Sequence, residues 1–286
     1  MKCAAVGVLL CSSFLWAGSA PEPSETLVIT NVNVVDTRHG GIEPNVNVIV
    51  KDGVITAISK FALVNAGPHD RVINAEGRYL IPGLWVLHAR LVRDATSKGR
   101  SPLALYLVNG VTGLLDPDGV EEKCAATQPD WPSPEIAKPG PTLHAELGAV
   151  EYEAIGGVNQ ADVAASPGTW LHLELQALVR GGLTPLQALQ AVTYNAALYM
   201  AKLDKYGVIE RAHIADMVLL EKNPLDDIRN SREIAAVVLR GTYFSRADPD
   251  AVRARAQQEA DQSLNAAKGP DLKSTNAKVE ELKATQ

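Results

Sequence analysis

Chemistry in this chain has to come from its histidines, carboxylates and cysteines. No glycine-rich nucleotide loop follows a strand, and no Ser-His-Asp or Cys-His spacing can be recognised. In Leu87-His88-Ala89-Arg90, alternate residues of a strand share a face, so His88 and Arg90 point the same way. The imidazole can give a lone pair to a metal, whereas the guanidinium stays protonated and offers only donors. His144 and Glu146 share a strand face as well and could hold a metal weakly, although a solvated loop accounts for them better. His172 and Glu174 sit at the start of a helix at a spacing that does not bring them together, and they read as helix surface. His213 lies in a late β region and reads as exposed, and Cys124 stands in an acidic loop without an activating base. A catalytic zinc ordinarily takes three protein ligands. His88 alone therefore reads first as a buried or rim histidine, and no residue qualifies as catalytic.

The elements that must position these groups follow from patterning. Leu27–Thr30, Val32, Val34-Val35 and Val46–Val50 are β-branched runs. Asp52-Gly53 between alternating runs predicts a β-hairpin over 45–60, because both residues tolerate positive φ. A second turn at Glu76-Gly77 separates Val72-Ile73 from Tyr79–Ile81, and Pro82-Gly83 ends this β unit. The apolar run Leu84–Leu91, a helix over about 102–109 closed by Gly110, and the run Val111–Leu115 then read as strand, helix, strand, the rhythm of parallel β/α units. Residues 117–142 are rich in Pro, Asp and Gly, which predicts a loop or junction. Trp170–Arg180 predicts a helix stopped by Gly181-Gly182. Thr184-Pro185-Leu186-Gln187 carries a capping box opening a second helix to Met200, with a candidate interruption at Asn195. From Gly207 the β pattern returns in Val208-Ile209, Ala215–Leu220 and Ile234–Leu239, a closing segment that can join the opening one. Residues 249–286 carry few large apolar groups and predict a solvated helical or disordered tail.

With 286 residues, 46% of them hydrophobic and 21% charged, the chain can afford a packed core. Its 27 Lys plus Arg against 33 Asp plus Glu give a net charge of −6, which argues against nucleic acid as a partner. Residues 1–20 combine Lys2, an apolar run from Cys3 to Trp16 and small residues up to Ala20. That pattern predicts a secretory signal peptide cleaved near Ala20, and about 14 apolar residues fall short of the roughly 20 a spanning helix needs. Cys11 raises lipid attachment as a minor alternative, with Leu10 bulkier than such sites usually carry. Losing Lys2 takes the charge from −6 to −7, and losing Cys3 and Cys11 leaves Cys124 alone. The expected product is secreted or periplasmic, has no later transmembrane segment, and must stand without an internal disulfide.

Three stretches resemble the amidohydrolase superfamily, in particular its secreted imidazolonepropionase-like and prolidase-like hydrolases. They are Gly77–Leu91 with its Pro-Gly-Leu turn, Gly157 through the helix pair to Met200, and Gly207–Ile228. The resemblance implies an α/β fold in which N- and C-terminal β segments make one composite sheet beside a metal-bearing (β/α)8 barrel. It divides the chain into a leader (1–20), the first part of the composite β domain (21–82), a barrel (83–204), the second part of the β domain (205–247) and a tail (248–286). It also implies zinc-dependent hydrolysis of C–N bonds in small amide or peptide-like substrates, by a metal-activated hydroxide with a carboxylate shuttling the proton.

Against that pattern, His88 matches the first metal ligand of the family's His-x-His pair and Arg90 stands in place of the second. The position of the family's last-strand Asp falls on Asn159, and an amide cannot act as general base. A three-residue slip would put Asp162 there instead. The lysine that becomes a carbamate and the two mid-barrel histidines have no counterpart. A full barrel takes roughly 250 residues. Leu84 to Met200 spans 117, enough for three or four units of ~30 residues. The expectation is a truncated barrel remnant and a degenerate, impaired enzyme, with zinc bound weakly or not at all. An exported binding or partner module is the alternative, and open strand edges would favour a homodimer.

Overall fold

A computed structural model describes residues 26–60, 67, 70–87, 103–115, 134–137 and 168–245. The expected leader, the tail and the last-strand position at Asn159 lie outside the described residues.

The opening β unit forms where patterning places it. Strands β1 (Leu27–Val35), β2 (Ile42–Lys51) and β3 (Val54–Ser59) run antiparallel in succession. The β2–β3 turn has Asp52 at φ 53° and Gly53 at φ 77°, the paired left-handed conformation that matches the twist of a two-residue hairpin. Strands β4 (Arg71–Asn74) and β5 (Tyr79–Pro82) both pair parallel with β1, β4 along Leu27–Thr30 and β5 at Asn33 and Val34.

The closing segment supplies β9 (Met217–Leu220), β10 (Ile234–Leu239) and β11 (Thr242–Ser245). Antiparallel pairing of β5 with β9, Tyr79 opposite Leu220, joins the two ends of the chain in the order β11-β10-β9-β5-β1-β2-β3. Strand β11 lies beyond Ile234–Leu239, the last run that patterning marks, and its turn has Arg240 at φ 46° and Gly241 at φ 83°. Val208 and Ile209 are buried but belong to no strand.

The sheet also folds back on itself. Ala215 N–H donates to Gly53 O at 2.8 Å, Gly241 N–H donates to Ala215 O at 3.1 Å, and Val54 bridges Ile214. The two hairpin turns thus meet backbone to backbone, and a Cβ added at Gly241 would lie 2.9 Å from Gly53 Cα.

The second sheet is parallel, β6 (Leu84–Val86), β7 (Val111–Leu115) and β8 (Glu135–Ala137), with α1 (Leu103–Val108) as the crossover between its first two strands. Strand β8 corrects the expectation of a plain loop over 117–142. Glu135-Ile136-Ala137 is a proline-free gap just long enough to pair with Gly113–Leu115. Helices α2 (Thr169–Arg180) and α3 (Pro185–Ala191) set Leu171, Leu175 and Leu189 against Leu84, Val86 and Leu114 in one core. Each of these side chains contributes roughly 1.5–3 kcal/mol on burial.

Thr184 and Gln187 form the expected capping box. The second helix breaks earlier than Asn195, at Val192-Thr193, and resumes as α4 (Tyr194–Tyr199). The break has a use, because the Val192 carbonyl, released from the helical ladder, accepts the Trp85 N–H of β6 at 2.8 Å. Among the described residues no helix is long and apolar enough to cross a membrane.

Candidate functional site

Parallel β/α sheets place their chemistry beyond the carboxyl ends of the strands, where loops converge over a rigid base. Here β6 is held at its start by Gly83 N–H donating to Asp216 O at 2.8 Å and by Leu84 N–H donating to Gly110 O at 3.0 Å. It ends at Val86, and Leu87 is the last residue described before His88. His88, Arg90, Asn159, Asp162, His144, Glu146 and Cys124 all lie outside the described residues. The described strand ends present Leu87, Leu115 and Ala137, which are hydrocarbon without a metal donor. Among the described residues no group of three His, Cys, Asp or Glu could hold a metal ion.

The face of the parallel sheet turned away from α2 and α3 is closed by packing. Trp85 and Tyr206 meet edge to face with ring centroids 5.4 Å apart. Leu115, Ala137, Ala196 and Ala197 complete this cluster. Lys202 Nζ pairs with Glu135 Oε1 at 3.0 Å and lies 6.0 Å from the Trp85 ring and 5.7 Å from that of Tyr206. Burial, with Glu135 and Asp216 nearby, pushes the Tyr206 hydroxyl up to about 12. Glu135 opens β8, so its pair with Lys202 lies at the amino-terminal end of that strand, while Leu115 and Ala137 of the same cluster lie at the carboxyl ends of β7 and β8.

Two histidines depart from their sequence reading. His172 was expected on a helix surface, yet it is 2% exposed. Its Nε2–H donates to Asn109 O at 3.1 Å, and its Nδ1 accepts from Ser231 Oγ at 3.0 Å, since a carbonyl can only accept. It ties α2 to the α1–β7 turn and to a 3-10 helix at Ile228–Arg232. Burial, together with the positive charge of Arg232, pulls its pKa down to about 4 against the hydrogen bond it donates to Asn109 O, so it is neutral at neutral pH. The apolar residues around it hid this role, because one turn of helix does not reveal which face a second element will cover. Glu174 is half-buried, and burial raises its pKa.

His213 was read as exposed and is buried, its Nε2–H donating to Leu203 O at 3.0 Å. A polar residue that the sequence reading passed over is Asp216. Its signal was a carboxylate inside the apolar run Ala215–Leu220, and it is 6% exposed.

A family model for the amidohydrolase family matches residues 160–243, from the approach to α2 through β11. An ochratoxinase of Aspergillus niger is 43% identical over 74 residues, which is 25% of this chain and 15% of that protein. The chain therefore matches well under two thirds of the length of this curated relative. In structure it is similar to a putative prolidase from Bifidobacterium longum, with TM-score 0.60 and 15% identity over 82% of this chain and 99% of that one. Molinate hydrolase gives TM-score 0.59 and 14% identity over 77% and 95%. The structure of Aspergillus niger ochratoxinase gives 0.56 and 15% over 78% and 96%. At these identities the structural likeness speaks for the fold.

Proposed function

The chain belongs to the amidohydrolase superfamily, and on that premise we propose that it is a degenerate member whose hydrolysis of C–N bonds is lost or strongly impaired. The family's reaction relies on a divalent metal that activates water against a carbonyl. The donor set here does not fit such a metal. Two residues after His88 stands Arg90, which has no lone pair to give and adds a repelling charge, and the resemblance aligns Asn159 with the carboxylate that would take the proton. The described strand ends add only hydrocarbon. Arg90 in place of a second imidazole is the observation that carries this reading.

Element analysis after zinc addition at neutral pH is expected to find well under one zinc per chain. Xaa-Pro dipeptides and N-acyl amino acids are expected to remain uncleaved. Stoichiometric zinc together with amide hydrolysis, both removed by His88→Ala, would overturn the proposal.

Export belongs to the same proposal, on the strength of Lys2, the apolar run and Ala17-Gly18-Ser19-Ala20. Amino-terminal sequencing of the protein recovered outside the cytoplasm is expected to begin at Pro21. A chain that keeps Met1 and stays in the cytoplasm would count against it.

A further inference from the structure

We propose that Asp216 is a proton-binding latch at the junction of the two hairpin turns with the start of β6, and that the junction is held shut when its buried carboxyl is neutral. Three backbone hydrogen bonds and one to a side chain tie Ala215 and Asp216 to other elements. Gly83 N–H donates to Asp216 O at 2.8 Å, Ala215 N–H to Gly53 O at 2.8 Å and Gly241 N–H to Ala215 O at 3.1 Å. Arg240 N–H donates to Asp216 Oδ1 at 2.6 Å. These contacts join the amino-terminal hairpin, the carboxy-terminal hairpin and the strand that leads to His88.

The carboxyl at their centre is almost dry, and its second oxygen, Oδ2, finds no hydrogen-bond partner among the described residues. A buried carboxylate with one bare oxygen is costly, and the two ways to relieve it are to hold a proton or to open a path for water.

The charged groups around it do not supply the missing compensation. Arg240, from the β10–β11 turn, favours the ionised form through its backbone N–H and its charge, while Glu135 of β8 opposes it. Lys202 is engaged with Glu135, and Tyr206 holds its proton. Burial outweighs these, and the Asp216 pKa is pushed up to about 6. The folded carboxyl therefore keeps its proton well above 3.8, where an unburied Asp releases it. Between those values the native state binds the extra proton, so this junction weakens as pH rises.

The test is amide hydrogen exchange at pH 5 and pH 7.5, corrected for intrinsic rates, in the full chain and in Asp216→Asn. Protection at Gly83, Ala215, Arg240 and Gly241 is expected to fall about tenfold or more on going to pH 7.5 in the parent, relative to Val48 in β2, and to stay level in Asp216→Asn. Equal pH dependence in both proteins, or an equal change at Val48, would overturn the latch. Should the variant fail to fold, carboxyl carbon NMR of the parent decides. A titration midpoint near pH 6 supports the proposal, and one below about 4.5, the range of ordinary carboxyls, sinks it.

Discussion

Gly113→Ala is expected to destabilise the protein by about 3 kcal/mol, at the upper end of what overpacking a well-filled core usually costs. An added Cβ at Gly113 would overlap the indole of Trp85, which is 1% exposed and boxed in by Tyr206, Leu115 and Ala196. Gly113 has no positive φ, so the position needs glycine for space and not for backbone freedom. The relief available is small, because β7 is paired on both sides, to β6 and to β8, and cannot back away without breaking both ladders. A second variant separates this mechanism from a loss of strand propensity. Trp85→Leu alone opens a cavity and is expected to cost about 3 kcal/mol. Combined with Gly113→Ala, the new methyl group partly fills that cavity, so the double variant should lose clearly less than the sum of the singles. Urea unfolding of the three variants measures this, and strict additivity would refute direct steric conflict.

His172→Gln is the second large effect. The imidazole is neutral and pinned between Ser231 and Asn109, so protonating it strands a charge and deprives Nδ1 of its lone pair. Its folded pKa of about 4 lies below the unfolded 6.5. The unfolded state therefore binds more protons between these values, and the stability contributed by the neutral ring is full above pH 6.5 and lost as pH falls through 4. At 1.36 kcal/mol per pKa unit this amounts to roughly 3 kcal/mol. Replacement by Gln costs about 1–3 kcal/mol at pH 7, through the imperfectly paired Ser231 hydroxyl and Asn109 carbonyl. It should also flatten the acid side of the stability curve. Asp216 runs the opposite way over much of the same range, so the parent's own curve is expected to be shallower than either group alone would make it. Denaturant unfolding at pH 7 and pH 4.5 is the measurement. An unchanged difference between the two pH values in His172→Gln would show that the ring does not govern acid stability.

What the sequence revealed and what it hid divide along a physical line. Local rules sufficed where a single residue's conformation decides. Asp52-Gly53 specified its hairpin through positive φ, and Thr184 with Gln187 specified the start of α3 through two reciprocal hydrogen bonds. The alternation of β-branched residues marked both β regions, and their union through β5 and β9 followed from a resemblance, not from any local signal. Features that depend on a distant partner were not legible. The burial of His172 is decided by Ser231 and Asn109, and that of His213 by Leu203. The helix break falls at Val192 because Trp85 needs an acceptor there. Strand β8 exists because β7 offers an edge, although prolines flank it on both sides. Asp216 could have been found only by asking why a carboxylate stands inside the apolar run Ala215–Leu220.

The meeting of the two hairpin turns also governs how the chain must be made. Strand β5 has no permanent neighbour on its outer edge until β9 emerges from the ribosome, and the Gly53 turn cannot settle before the Gly241 turn exists. Until then the amino-terminal half presents an unsatisfied β edge, and pairing across so great a sequence separation is intrinsically slow. The growing polypeptide is therefore most open to self-association along the β5 edge, and that exposure ends when β9 closes the sheet.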